Sequence, residues 1–304
     1  MHQSYLAQIT QFDSFKFHLL GSKTETAVPH VSPRDLREFA FLAPIETTEQ
    51  RSIAEVLQVW DVAIATTEKL LINSRTKKRN LMQGLLKSHR SFGRKRVPWS
   101  RIDFNRVFER IARKNTNQNT NVLTISGQHG LISQRDFFNK SVASKNLQGY
   151  TLLETGDFAY NKSYSNGYPM GAIKPLLNYD SGVVSSLYIC FRIRPDIEGD
   201  IDFYRHYFEA GMLNDEINGI AQEGARNHGL LNVGVKDFFK LKLHVPPIQE
   251  QRRIAEVLNV AEAEERCIVR ELDKLKEEKR VLMNDLLTGK RRVKMSDALS
   301  SSTV

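Results

Sequence analysis

Cysteine is scarce: two residues in 304 cannot build a disulfide framework. Cys190 falls in an alternating strand pattern and Cys267 inside a long helical one, so they do not form a zinc motif either. No run approaches eighteen apolar residues, and Met1-His2-Gln3-Ser4 lacks the basic-then-apolar opening of a signal peptide. Both absences weigh against membrane and secreted readings, and the cytoplasm is the expected compartment. The eight histidines are scattered, without metal-ligand spacing. No phosphate-cradling glycine loop is written out, since Gly21-Ser22-Lys23-Thr24 ends like a P-loop but lacks the upstream glycine. Carboxylates gather in long helical stretches, where solvated flanks explain them. The chain is therefore expected to be non-catalytic, with no metal and no cofactor of its own.

What is present starts with charge. The net charge of +9 points to an acidic partner, nucleic acid or an anionic surface, although composition alone equally allows a merely soluble basic protein. The length allows about two domains.

The strongest pattern is a stretch that occurs twice. Glu49-Gln50-Arg51-Ser52-Ile53-Ala54-Glu55-Val56-Leu57 and Glu250-Gln251-Arg252-Arg253-Ile254-Ala255-Glu256-Val257-Leu258 agree at eight of nine positions. Each opens a helical pattern whose seam steps alternately by four and three. In the first copy the seam runs through Ile53, Leu57, Trp60, Ile64, Thr67, Leu71, Ser74, Lys78, Leu81 and Leu85. In the second it runs through Ile254, Leu258, Ala261, Glu265, Ile268, Leu272, Leu275, Lys279, Leu282 and Leu286. Sustained heptads of this kind mark helices that wind around each other. Even the polar interruption keeps register, at Lys78 and Lys279. Each narrow seam needs a partner, and the simplest partner is the other copy. Each rod would be roughly 50 Å long.

Between the copies, residues 98–246 read as one mixed α/β globule. Ser100 is expected to cap a short helix carrying Phe104, Val107, Phe108 and Ile111. Strands are expected at 122–125, at 150–153 and 158–160 around the turn Glu154-Thr155-Gly156-Asp157, and from Val184 to Arg194 with Leu187, Ile189, Phe191 and Ile193 on one face. A helix interrupted by glycines is expected over 202–222. Upstream of the first rod, residues 32–45 share the texture of 234–248, so residues 1–43 read as the last third of another such domain. Prolines 44, 246 and 247 mark the passage from globule to rod. Beyond Leu287, glycine and basic residues close the second helix, and the last serines should be disordered.

Two Glu-Gln-x-x-Ile-Ala-Glu-x-Leu motifs, each opening a long helix just after proline, resemble the specificity subunit of type I restriction–modification systems. Pro247-Ile248-Gln249-Glu250-Gln251 and Leu286-Leu287-Thr288-Gly289-Lys290 carry the likeness in the second copy. Trp60-Asp61 and Leu81-Met82-Gln83-Gly84-Leu85-Leu86 carry it in the first, where four residues rather than two separate Pro44 from Glu49. The resemblance implies an α+β chain with one mixed α/β target-recognition domain and two long helices pairing as an antiparallel coiled coil. Its parts would be a remnant of a first recognition domain (1–47), a central spacer helix (48–90), a complete recognition domain (91–247), a C-terminal spacer helix (248–289) and a basic tail (290–304).

The resemblance further implies double-stranded DNA as ligand, read as half of a bipartite site, with rods of about 50 Å setting half-sites roughly one and a half turns apart. Methyltransferase subunits would dock, with restriction subunits as a further class of partner, bringing S-adenosylmethionine, ATP and Mg, because no Asn/Asp-Pro-Pro-aromatic run gives this chain DNA methylation of its own. A homodimer or a complementing N-terminal half-subunit would supply the rest of the first domain. An inactive remnant that docks partners through its helices without reading DNA is the alternative. Candidate contacts are residue types that suit bases and phosphates. They are Asn161, Lys162, Tyr164 and Asn166 in one loop, Arg226, Asn227 and His228 in another, Arg135 and Lys174, and Arg94, Lys95 and Arg96 in the basic linker. Solvated surface has the same composition, so these positions remain open on sequence.

Overall fold

The computed structural model describes residues 1–21, 31–87, 98–127, 129–135, 146–221 and 229–293. The chain divides into two compact units, Met1–Thr76 with Ala263–Val304, and Lys77–Glu262. Both long helices run from one unit into the other. The first, α4, spans Thr47–Met82 and is preceded by α1 (Gln3–Gln11), α2 (Asp13–Gly21) and α3 (Pro33–Arg37). The second, which closes the chain and is labelled α9 below, spans Ile248–Leu287.

The two long helices pair antiparallel. In the first unit Glu49 meets Arg292 at 2.7 Å, Asp61 meets Lys279 at 2.5 Å, Glu68 meets Lys276 at 2.8 Å and Arg75 meets Glu265 at 3.0 Å. Numbers rise along one helix as they fall along the other. In the second unit Lys78 and Glu262 continue the series at 4.0 Å. Beneath the charges, Ile53, Leu57, Leu286 and Leu287 share one apolar cluster, and Ile254 and Leu258 share another with Leu81 and Leu85. Trp60, Ile64, Ile268 and Leu275 are half-buried, whereas Leu71, Ala261 and Leu272 are buried. Around the central motif the helix loosens into a π-turn over Gln83–Lys87. At its other end α9 stops where Gly289 turns to φ 75°, a conformation that favours glycine. No atom would obstruct an added Cβ there, so Gly289→Ala should cost only backbone strain, about 1 kcal/mol in urea unfolding, and Gly289→Asn less.

The second unit is a strand-rich module. Its elements are β1 (Ser100–Asp103), α5 (Phe104–Val107), β2 (Phe108–Arg110), β3 (Leu123–Ser126), β4 (Gly130–Ser133), β5 (Thr151–Glu154), β6 (Phe158–Asn161), β7 (Ala172–Pro175), β8 (Ser181–Val184) and β9 (Ile189–Ile193). There follow α6 (Ile201–Glu209), α7 (Asn214–Ile220), α8 (Val235–Phe238) and β10 (Lys242–Val245). The strands form a four-stranded antiparallel sheet in the order β2-β9-β6-β7 and three two-stranded pairs, β3-β4, β5-β8 and β1-β10. Its core is aromatic: Phe158 and Phe191 are register partners and stack at 5.4 Å, and Phe104, Phe108 and Phe208 pack around them. Aromatic pairs in such offset and edge-on arrangements add to the burial of their area.

Two local expectations are corrected. Ser100 does not cap a helix; it begins β1 opposite Val245, and the helix is the single turn Phe104–Val107 with Asp103 at its N-cap. Phe108 then enters β2, because pairing with β9 satisfies its backbone where another helical turn would not. The run from Val184 to Arg194 is not one strand. A turn closed by Tyr188 N–H to Ser185 O separates β8 from β9 and leaves Leu187 exposed. Cβ alternation holds on both sides of that turn, which is why the sequence reads as continuous.

The repeated Glu-Gln motif has a physical reason. Gln50 donates from Nε2 to Pro44 O at 2.7 Å, while its Oε1 accepts from the backbone N–H of His2, the N-cap of α1. Gln251 does the same with Pro246 O at 2.9 Å and with the N–H of Asp200, the N-cap of α6. In both places a glutamine ties the chain entering the long helix to the start of a nine-residue helix packed beside it.

Candidate nucleic-acid interface

The connection between β6 and β7 holds most of the described candidate residues. Asn161 ends β6, and its Oδ1 accepts from Ser163 N at 3.1 Å, bending the chain out of the sheet. Residues 162–164 then run beside residues 229–231, through Tyr164 N to Gly229 O at 2.7 Å and Leu231 N to Lys162 O at 3.0 Å. A reverse turn follows, closed by Tyr168 N to Ser165 O at 2.9 Å, with Gly167 at φ 86° as its third residue. Asn166 lies at the tip of this turn, exposed, and Tyr164 is 63% exposed. The returning chain passes Gly171 at φ 77°, where a Cβ would come within 2.3 Å of Asn161 O. Only glycine fits there, so the loop closes tightly.

Lys174 is a correction. It sits in β7, 7% exposed, with its ammonium donating to Tyr168 Oη at 2.9 Å, to Gly127 O at 3.3 Å and to the Glu209 carboxylate. That charge is used inside the protein and is not presented to a duplex. Sequence could not tell the two cases apart, since Glu209 arrives from α6. Burial and the adjacent Glu209 push the Tyr168 phenol above its ordinary range, so it remains protonated and donates to Glu209 Oε1 at 2.7 Å.

Of the other candidates, Arg135 is exposed just past β4, outside the loop. Lys162 is half-buried beside Tyr164. Arg94, Lys95, Arg96, Arg226, Asn227 and His228 lie outside the described residues, although residue 229 borders the loop. Among the described residues no group of three His, Cys, Asp or Glu side chains could hold a metal ion, and no helix is long and apolar enough to cross a membrane.

A second polar site is formed where α6 packs on the first turns of α9. Arg205 donates to Glu262 and to Asn259 Oδ1, each at 2.7 Å, and Asn259 Nδ2 donates to Asp202 at 2.9 Å. His206, 1% exposed, lies 2.8 Å from Asn259 Oδ1. Burial, with Arg205 beside it, lowers the imidazole pKa to about 4. In the first unit Gln8 holds the corresponding helix position and donates to Asp61 at 2.8 Å. Asp61 and Glu262 occupy the same position of the repeat, as do Lys279 and Lys78. Sequence reading noticed the lysines and missed their acidic partners, although the repeat register held that signal.

No family model matches the sequence. Among solved structures, the chain is similar to the type I restriction–modification S subunit from M. genitalium, with a TM-score of 0.53 and 14% identity over 97% of this chain and 74% of that one. A structure described for complex assembly and conformational transition of the type I R-M system aligns with a TM-score of 0.51 and 16% identity, over 94% of this chain and 71% of that one. The HsdS subunit from Thermoanaerobacter tengcongensis aligns with a TM-score of 0.46 and 18% identity, over 96% and 71% respectively. The α+β fold with two long helices is the fold of type I restriction–modification specificity subunits.

Proposed function

We propose that this chain is a non-catalytic DNA-recognition subunit of a type I restriction–modification complex. Residues 91–247 would read one half of a bipartite site, and α4 and α9 would set its spacing and dock methyltransferase subunits. Residues 1–47 would be the closing segment of a second recognition domain, a reading supported by the matching roles of Gln50 and Gln251. The observation that carries the proposal is the fold shared with the M. genitalium S subunit over nearly the whole chain. The exposed Tyr164 and Asn166, presented on a closed loop, add chemistry suited to base edges.

The test is selection from a random-site duplex library at several salt concentrations. A bipartite sequence should be enriched, and affinity should fall linearly on a log–log salt plot, by a slope of about −0.9 per phosphate neutralised. Asn166→Ala should relax preference by about tenfold at one or two base positions without changing the salt slope. Adding the cognate methyltransferase subunit should give methylation of the enriched sequence that depends on this chain. Enrichment of nothing, with partner docking intact, would leave an assembly protein that does not read DNA.

A further inference from the structure

We infer that Tyr168, Lys174 and Glu209 form a clamp that positions the 162–168 loop for reading sequence, an inference that rests on the DNA-recognition reading above. The triad joins three separate pieces of chain. Lys174 belongs to β7, Tyr168 ends the reverse turn, and Glu209 is the last residue of α6. Gly127, in the connection from β3 to β4, is the fourth point, through its carbonyl.

Burying a lysine is unfavourable unless its donors are met, and here all three have partners. The ammonium also lies 4.9 Å from the centroid of the Tyr168 ring, a cation–π distance. A Cβ on Gly127 would come within 3.0 Å of that ring, so the ring is seated against the backbone at Gly127. Tyr168 is thus held by its hydroxyl and by its ring. Asn166 is two residues away, at the tip, and Tyr164 is fixed by its own N–H bond to Gly229.

The consequence concerns which part of binding depends on the clamp. A bidentate contact to a base edge tolerates little displacement of its side chain, whereas a phosphate contact tolerates more. Lys174 and Glu209 neutralise each other, so removing the clamp changes the charge seen by DNA only slightly if both are replaced. Loss of the clamp should therefore reduce discrimination while leaving bulk, salt-dependent affinity in place. Tyr168, Lys174 and Glu209 are positioning residues, not contacts.

The experiment uses the full chain with Tyr168→Phe and with the double change Lys174→Met, Glu209→Met. Three quantities are read: hydrogen exchange of the loop amides, enrichment from the random-site library, and affinity for a random duplex. Exchange at Tyr168 N–H should quicken about tenfold or more, enrichment should drop about tenfold, and random-duplex affinity should move less than about twofold. Tyr168→Phe keeps the ring and adds no charge, so it keeps the test valid should the double variant fold poorly. Unchanged exchange overturns the clamp. Quickened exchange with full enrichment overturns its role in reading. A parallel loss of enrichment and random-duplex affinity reduces it to a structural role. A wild-type chain that enriches no sequence overturns the recognition reading itself, while exchange still reports whether the loop is braced.

Discussion

Replacing Asp61 by alanine should lower the stability of the folded protein by about 3 kcal/mol, measured by urea unfolding at neutral pH. Asp61 accepts from Lys279 at 2.5 Å and from Gln8 at 2.8 Å, and Lys279 is itself 8% exposed on the seam between the helices. Without Asp61 the ammonium retains, among the described residues, Gln11 at 2.8 Å, and stays largely out of water. The loss comes from stranding a charge, not from the value of the pair. Asp61→Leu combined with Lys279→Met should accordingly recover most of it, because an apolar Met suits the seam position and no charge is left stranded beside it. A single-site cost below about 1 kcal/mol would mean that Lys279 reaches solvent freely, and the pair would then have no part in setting helix register.

Acid should destabilise the protein in a window that His206 defines. Its folded pKa of about 4 lies below the ordinary value of 6.5, so the unfolded chain binds the extra proton between those limits. Stability is then fully present above about pH 6.5 and declines as pH falls toward 4, by about 3 kcal/mol in all and about 2 kcal/mol by pH 5. The neighbouring Asp202 and Glu262 carboxyls are held below their usual range, so their contribution is lost only at lower pH. The positive charges of Arg205 and Lys78 oppose protonation of the ring. His206→Gln should remove the slope between pH 6.5 and 5 while keeping a donor for Asn259, as Gln8 does for Asp61 in the other unit. Equal slopes for the two proteins would show that His206 protonates without resistance.

The long helices were the most legible part of the chain. Their seam is periodic over many turns, and the repeat of the Glu-Gln motif fixes where each begins. The shorter elements were less so. At Ser100 and Phe108, local spacing favours a helix, but the ladders to β10 and β9 take those residues into strands. At Leu187 the alternation persists through a turn, so periodicity alone cannot place the break between β8 and β9. The candidate loop was legible as a loop, from its Asn-Gly turn and polar side chains. Which of its neighbours face outward was not legible, and Lys174 is the clearest instance.

By itself the sequence determined what is encoded over short distances. That covers the heptad seam, the helix ends at Pro44, Pro246, Pro247 and Gly289, and the turn at Gly167. Each depends on backbone preference or on side-chain period, and both act within a few residues. Tertiary structure alone decided the partners of charge. Glu209 meets Lys174, Asp61 meets Lys279 and Glu262 meets Arg205 across separations that no local pattern spans. Whether a lysine serves as strut or contact is set by how much water the folded chain leaves around it.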